Sequence, residues 1–386
     1  MKLCIEGSNA VARVVNMCKP GVVSAYPITP QTHIVEDLSK FKSDGEADFE
    51  FVRSESEFAA ASIVLGSSAS GVRSYTATSS QGLLLMTEVL FTIAGMRLPV
   101  VMTCANRAVS APINIWNDQQ DSMTVRDSGW IMLYARDNQE AIDMHPVAFK
   151  VAEQTKIPVM VNMDGFVLTH TYEGVELPDV PNLNKYLPKY EPEEGQYLDV
   201  DNPKSLGCFA TPEHYQDIRK DLFDDLEKAK KVLKTEFANY KKLFNRGTNE
   251  LVEYYGDKKA KTVFVAMGSV NGTISQAVDE LNESGKHSSP RLRMSGKAGV
   301  VIVKCFRPFP VEELTKHLSG AKYIAVIDKS VSLGKEGVLA TEIKSLSLKG
   351  KVQSFIGGLG GRDITVEGVK GIYGKVQGKG GKTVFV

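Results

Sequence analysis

At 386 residues the chain exceeds the size at which one hydrophobic core usually stops growing, so two domains are expected. Hydrophobic residues make up 42% and charged residues 24%, ordinary for a soluble globular protein, and Lys+Arg and Asp+Glu balance at 46 each. That balance gives no electrostatic reason to expect nucleic acid or an anionic membrane as a partner. No apolar run approaches the ~20 residues of a membrane span, and the opening MKLCIEGSNAVARVV lacks a signal-peptide layout, so a cytoplasmic location is expected. Five cysteines (Cys4, Cys18, Cys104, Cys208 and Cys305) include no C-x-x-C pair, and the six histidines are dispersed. A disulfide framework, or a zinc or iron–sulfur site held by this chain alone, is therefore not expected.

The first 170 residues repeat one unit: an apolar β-rich run, a polar turn, then a helical pattern. Strands are predicted at 22–26, 49–52, 73–77, 99–104, 130–134 and 158–162, with helices such as 58–66 and 83–93 between them. Alternation of this kind predicts an α/β fold with a doubly wound, mostly parallel sheet. From 173 to 211 the composition turns to Pro, Asp, Asn, Tyr and Lys without a period, which reads as a long connection. Tyr215, Ile218, Leu222, Leu226, Ala229, Leu233, Phe237, Tyr240 and Phe244 then recur at three- and four-residue steps. They predict one long amphipathic helix laid across a surface, with Gly247 as its C-terminal cap. After Lys261 a second, smaller α/β unit is predicted, with strands at 262–266, 300–305 and 323–327 and a helix reaching Leu281. The basic, aperiodic stretch 288–299 reads as a surface insertion, and the Gly/Lys-rich end from Gly374 as frayed.

In an open parallel sheet, chemistry gathers where strands end and helix N-termini face the crevice. Three corners carry unusual residues there. At Tyr26-Pro27-Ile28-Thr29-Pro30, Pro30 suits a first helical position, which makes Thr29 a natural N-cap with a hydroxyl open to backbone or ligand. In Arg53-Ser54-Glu55-Ser56-Glu57, Ser54 and Glu57 have capping-box spacing; the functional alternative is Glu57, or Glu55, as a carboxylate for proton work. At Thr78-Ser79-Ser80-Gln81, Thr78 and Gln81 repeat that spacing, but so many hydroxyls exceed what a cap needs, so a ligand or subunit contact is equally compatible. Arg107, just past the fourth strand, suits either a bidentate grip on a substrate carboxylate or a surface ion pair.

In this order YPITP, RSESEFAAAS, TATSSQGLLLM, NRAVSAPINIWNDQQD, GWIMLYARDNQEAIDM and MDGFVLTHTYE resemble the N-terminal part of pyruvate:ferredoxin oxidoreductases and their 2-oxoacid relatives. FVAMGS, KCFRPFP and GGLGGRD continue the resemblance, which covers most of the chain. It implies a pyrimidine-side thiamine-diphosphate-binding domain over 1–172, a linker and long helix over 173–258, and a transketolase C-terminal-like α/β domain over 259–386. Carried over position by position, it makes Glu57, rather than Glu55, the carboxylate on N1′ of the thiamine pyrimidine. That contact favours the imino tautomer whose nitrogen removes the thiazolium C2 proton. It assigns Thr29 and Arg107 to the substrate carbonyl and carboxylate, and Tyr26, Pro27, Ser80 and Gln81 to cofactor contacts. No G-D-G magnesium signature exists, and Met163-Asp164-Gly165 has a different context, so no metal ligand is assigned to this chain.

The resemblance thus implies an α subunit that shares thiamine diphosphate with a β subunit. Mg2+ and [4Fe-4S] clusters lie in partners: the β subunit, a ferredoxin-like iron–sulfur subunit, a γ-type subunit and a second copy of the complex. The reaction implied is oxidative decarboxylation of a 2-oxoacid with coenzyme A, giving acyl-CoA and CO2 and passing electrons to ferredoxin or another acceptor. Pyruvate is the first expectation on family frequency; 2-oxoisovalerate and phenylglyoxylate share the same motifs. A transketolase-like transferase subunit without a redox role and a non-catalytic assembly subunit stay open beside it.

Overall fold

A computed structural model describes residues 2–287, 297–378 and 383–386. The stretch 288–296 of the expected insertion lies outside the described residues. β1 (Lys2–Glu6) runs directly into α1 (Gly7–Met17), followed by β2 (Val22–Ala25), α2 (Thr32–Ser43), β3 (Glu50–Arg53), α3 (Glu57–Ala69) and β4 (Ser74–Thr78). Next come α4 (Ser80–Leu85), α5 (Thr87–Gly95), β5 (Val101–Asn106), α6 (Gln120–Thr124), β6 (Ile131–Tyr134), α7 (Asn138–Thr155) and β7 (Val159–Asp164). β8 (Tyr172–Glu176), α8 (Val180–Tyr186) and α9 (Pro212–Phe244) lead to the second half. There β9 (Val252–Gly256), β10 (Thr262–Ala266), α10 (Val270–His287), β11 (Ala298–Val303), β12 (Cys305–Arg307) and α11 (Val311–Leu318) follow. β13 (Tyr323–Asp328), α12 (Val338–Ser345), β14 (Lys351–Ile356), α13 (Val366–Gln377) and β15 (Val384–Phe385) complete the order.

Among the described residues the strands form a seven-stranded sheet ordered β12-β6-β7-β5-β4-β2-β3, a six-stranded sheet ordered β15-β14-β13-β10-β11-β9, and the pair β1-β8. Only β12 on β6, β9 on β11 and β1 on β8 are antiparallel. This is the mostly parallel α/β architecture expected from the sequence. β5 and β7 sit inside the large sheet with all six residues of each buried, as strands covered on both faces must. From β2 the chain moves outward to β3, then returns to place β4 on the opposite side of β2. That reversal opens a crevice beyond the C-terminal ends of β2 and β4.

Several local expectations are corrected. α2 starts at Thr32 with Gln31 in the cap position, so Thr29 is not an N-cap. A turn from Ile28 to Gln31, closed by Gln31 N–H on the Ile28 carbonyl, separates strand from helix and carries the cis Thr29–Pro30 bond. α9 ends in a left-handed Asn245 rather than at Gly247. The long connection contains β8 and α8, because Tyr172–Glu176 finds an edge partner in β1. The end of the chain is not frayed where described: α13 packs against α10, and Val384 and Phe385 add a parallel edge strand beside Phe355 and Ile356. The predicted strand 300–305 divides at Lys304, so that Cys305–Arg307 leaves the second sheet and pairs with β6 of the first. Among the described residues, no helix is long and apolar enough to cross a membrane.

α9 shows why its period was readable. Leu222, Ala229, Leu233, Phe237 and Tyr240 are buried along one face; the helix packs on α7, where the Tyr240 hydroxyl donates to Asp143 at 2.9 Å. The two halves share one core, since Val263, Val265, Leu314 and Leu339 join the cluster that holds Val101 and Val161. They are also clasped by polar groups. Lys329 Nζ donates to Asp164 Oδ2 at 3.1 Å and to Asn117 Oδ1, and its carbonyl accepts from Gln119 N–H at 2.7 Å. Ser269 N–H adds a 2.9 Å bond to Asp164.

Burial pushes the Asp164 pKa up, but Lys329 and Ser269 outweigh it and hold the carboxyl below its ordinary 3.8. A depressed carboxyl contributes stability above its unfolded pKa. The contribution of the pair is therefore intact at neutral pH and is lost as the pH falls below 3.8. Lys329→Ala leaves a buried carboxylate without its cation and is expected to cost on the order of 3 kcal/mol. The denaturant midpoint at pH 7 measures this, and an unchanged midpoint would show that the clasp adds nothing.

Candidate active site at the strand-to-helix corners

The site is built from the ends of four parallel strands. β3 delivers the chain to α3, whose cap is Ser56, with the Ser56 hydroxyl accepting from Ala59 N–H at 3.1 Å. The Ser54–Glu57 capping box is therefore not formed: the cap lies two residues later, and Ser54 Oγ is buried without a partner. Glu57 becomes the first helical residue, and its carboxylate is released from capping. It is 7% exposed, and no hydrogen bond or ion pair holds it among the described residues. The residue is largely buried but its carboxylate oxygens stay accessible, so they present an acceptor to the crevice.

The carboxylate lies against the start of α4. A Cβ added to Gly82 would stand 2.7 Å from Glu57 Oε1 and 2.5 Å from Thr78 Oγ1, so only glycine leaves room. Thr78 Oγ1 is itself buried and unpaired. The expected Thr78–Gln81 box is also absent, since Ser79 occupies the cap position without a side-chain cap bond and donates instead to the Ala105 carbonyl at 2.7 Å. Ser80 adopts a left-handed φ of 48° and donates its hydroxyl to the Ala108 carbonyl. Gln81 Oε1 also lies against Ser80 Oγ, whose single O–H is shared between the two acceptors, and Gln81 Nε2 donates to Ser110 Oγ, so the Gln81 amide braces this loop to the next.

Arg107 follows β5 and is 6% exposed. Its Nη1 donates to the Thr29 carbonyl at 2.8 Å and its Nε to the Asn114 carbonyl at 3.1 Å. No carboxylate pairs with the guanidinium among the described residues, so the surface ion pair is not what the structure contains. Burial lowers the Arg107 pKa and nearby Asp121 raises it, the first prevailing. Arginine stays charged, and Nη2 has no protein acceptor among the described residues. The structure thus joins Arg107 to Thr29, whose own hydroxyl is exposed and unpaired, and joins Glu57 to the Thr78–Gly82 corner. Tyr26 and Pro27 stand exposed at the end of β2 beside Thr29.

Asp121 organises these corners, and sequence reasoning did not single it out. The carboxylate is fully buried and accepts from Ser80 N–H at 3.0 Å, Arg107 N–H at 2.9 Å, Asn106 Nδ2 at 2.9 Å and Ser122 N–H at 2.7 Å. Burial raises its pKa and these donors lower it, burial prevailing. Its only sequence signal was its place at the end of the NDQQD run. The same run carries Asp118, which burial pushes up to about 6 and which accepts Gly360 N–H at 3.2 Å. GGLGGRD thus reaches across from the second half to hold the loop beside Arg107. Asp164 serves the clasp with Lys329 and Ser269.

Comparisons with known proteins bear on this geometry. The family described as pyruvate flavodoxin/ferredoxin oxidoreductase, thiamine diphosphate-binding, matches residues 13–238, and the pyruvate:ferredoxin oxidoreductase core domain II matches residues 260–369. Pyruvate synthase subunit PorA of Methanocaldococcus jannaschii is 46% identical over 377 residues, covering 97% of this chain and 94% of that protein. The subunit of the same name from Methanosarcina barkeri is 46% identical over 373 residues, covering 95% of this chain and 90% of that protein. Ketoisovalerate oxidoreductase subunit VorA of Pyrococcus abyssi is 41% identical over 376 residues, covering 96% and 92%. The solved 2-oxoglutarate:ferredoxin oxidoreductase of Magnetococcus marinus has the same fold, with a TM-score of 0.75 at 21% identity over 97% of this chain. The chain spans 65% of that longer polypeptide. On these matches and on the fold, the chain belongs to the pyruvate flavodoxin/ferredoxin oxidoreductase family and is one of its thiamine-diphosphate-binding subunits.

Proposed function

We propose that this chain is the α subunit of a 2-oxoacid:ferredoxin oxidoreductase complex that decarboxylates pyruvate oxidatively with coenzyme A, giving acetyl-CoA and CO2. The observation that carries the reading is the carboxylate of Glu57, a largely buried residue with no protein partner among the described residues, at the strand-to-helix crevice. The pyrimidine side of thiamine diphosphate fits there for two further reasons. Gly82 leaves space against that carboxylate, and Thr78 Oγ1 is buried and unsatisfied beside it. When bound, the cofactor supplies a carbon nucleophile and an electron sink for decarboxylation.

The chain's own residues divide the remaining work. The Glu57 carboxylate accepts a hydrogen bond from protonated pyrimidine nitrogen N1′ and holds the proton there. Tyr26 and Pro27 on one side, and Ser80 and Gln81 on the other, line the cofactor. Arg107 uses its unpaired Nη2 to orient the substrate carboxylate, and the Thr29 hydroxyl faces the substrate oxygen. Thr29 is not basic, which disfavours a second substrate carboxylate. Residues 1–172 form the cofactor unit, 173–258 the linker and long helix, and 259–386 the unit that buttresses the site.

A β subunit supplies the diphosphate grip and Mg2+. A ferredoxin-like subunit carries the [4Fe-4S] clusters, with a γ-type subunit and a second copy of the complex completing a cytoplasmic assembly. Apolar side chains next to the site residues support such a cover: Ile113 is 79% exposed, Trp116 52% and Phe58 42%. Pyruvate is preferred because the pyruvate synthase subunits are 46% identical, against 41% for the ketoisovalerate subunit.

Steady-state assays of the purified complex with coenzyme A and a viologen acceptor test this. Pyruvate is expected to give the highest kcat/KM in a panel with 2-oxoisovalerate and phenylglyoxylate, and a branched-chain winner would reassign the substrate. Absence of iron and sulfide from the complex would favour the transferase reading. Glu57→Gln is expected to lower kcat by about 10²- to 10⁴-fold with the melting temperature unchanged. Arg107→Ala is expected to raise KM for the 2-oxoacid at least tenfold while that for coenzyme A stays put. Gly82→Ala is expected to cost about 1–3 kcal/mol by overpacking and to displace Glu57, giving a joint loss of stability and turnover.

A further inference from the structure

Away from the crevice, three potential metal ligands converge from distant positions in the chain. Glu6 ends β1, His33 is the second residue of α2, and His170 lies in the connection between β7 and β8. One ligand atom from each can be chosen so that all lie within 4.8 Å of one another. His33 Nδ1 stands 2.8 Å from Glu6 Oε1, and the two imidazole rings are 4.6 Å apart between centroids. We propose that Glu6, His33 and His170 form a site for a divalent transition-metal ion of the Zn2+ class, which pins the start of α2 to the 165–171 connection.

The surrounding structure has the form of a built site. Glu6 occupies the cap position of α1, yet its side chain makes no cap bond. The first helical N–H groups are satisfied elsewhere: Gly7 N–H donates to the Thr171 carbonyl at 3.1 Å and Ser8 N–H to the Thr169 carbonyl at 2.9 Å. The Ser8 hydroxyl adds a third bond, to the same Thr169 carbonyl at 2.8 Å. These bonds free the Glu6 carboxylate and fix His170 beside it. On the other side, Asn9 of α1 donates to Asp37 of α2 at 2.8 Å, which holds His33 in register.

His170 also has the outer partner that metal-bound imidazoles use. Its Nδ1 lies 2.8 Å from Thr169 Oγ1, and that oxygen already accepts Phe166 N–H at 2.8 Å. With Nδ1–H donating to the same oxygen, Nε2 becomes the free lone pair, and the ring orientation is set. Two imidazoles and one carboxylate suit Zn2+, Co2+ or Ni2+ far better than Mg2+ or Ca2+. Water completes the coordination, because all three residues are partly solvent-accessible. The positive N-terminal ends of α1 and α2 oppose a cation, and the Glu6 charge offsets them.

The location gives the ion a task. His33 is three residues past Pro30, in the helix that follows the Thr29 turn. His170 packs against Phe166 and Phe166 against Trp116 of the loop beside Arg107 in tilted ring contacts, each pair 4.6 Å between centroids. An ion here therefore ties two of the loops that carry the proposed substrate contacts. The site itself does not depend on the proposed reaction, and its test reads binding rather than turnover.

Chelator-treated full-length chain is titrated with Zn2+ by calorimetry and with Co2+ by visible absorption. One equivalent per chain is expected, with d–d bands of a low-coordinate site and a melting temperature that rises with free Zn2+. His33→Ala and His170→Ala are expected to remove that equivalent, while His214→Ala, at an exposed position on α9, retains it. Glu6→Gln keeps the shape and is expected to weaken Zn2+ by at least tenfold, and Thr169→Val by about 10- to 100-fold. No stoichiometric binding, or equal binding by wild type, His33→Ala and Glu6→Gln, would overturn the proposal and leave a plain histidine–carboxylate hydrogen bond.

Discussion

A carboxylate that makes no salt bridge among the described residues, Asp121, holds the corners of the crevice together. It gathers N–H donors from the start of α4, the end of β5 and the start of α6, all at 2.7–3.0 Å. Charge-assisted bonds of this kind in a dry interior are strong, and leaving any donor unmet is costly. Because Asp121 binds the Arg107 backbone N–H, it acts on the guanidinium only through space, and no carboxylate bonds that side chain directly among the described residues. Position and reactivity are thereby separated: one acid fixes the loops, and another group, Glu57, is left with nothing to do inside this chain.

The second half of the molecule acts on the same loop from outside. Gly360 N–H reaches Asp118, the Gly360 carbonyl accepts from Asn114, and Gly361 N–H reaches the Asn117 carbonyl at 2.7 Å. Val331 N–H bonds Gln120, and Lys329 holds Asp164 and Asn117. A side chain at Gly361 would collide with Trp116, and the left-handed φ of 83° there favours glycine in any case. Motifs far apart in the sequence are therefore two faces of one joint, which accounts for their appearing together.

The readable parts of the sequence were those governed by period. Strands β2 to β7 are short apolar runs between turns, and α9 repeats its buried residues every three or four positions, so both followed from patterning. β1, β8 and β9 were missed because they are polar edge strands that exist only through partners far away in the chain. α1 was missed because it opens with Gly7 and Ser8, whose burial depends on the Thr169 and Thr171 carbonyls. At the crevice, local spacing favoured caps that did not form: Ser56, not Ser54, caps α3, and that two-residue shift is what frees Glu57. Its role was legible only through family resemblance, while Asp121 and the Glu6–His33–His170 cluster needed three-dimensional proximity to be seen at all.

The short strand Cys305–Arg307 gives the molecule an order of assembly. It covers the β6 edge of a sheet whose other strands all come from the first half of the chain. During synthesis that edge stays bare until most of the polypeptide has left the ribosome, with its N–H and C=O groups open to any passing strand. The first half cannot finish itself. The two halves therefore join by adding a strand to an open edge rather than by docking two finished bodies.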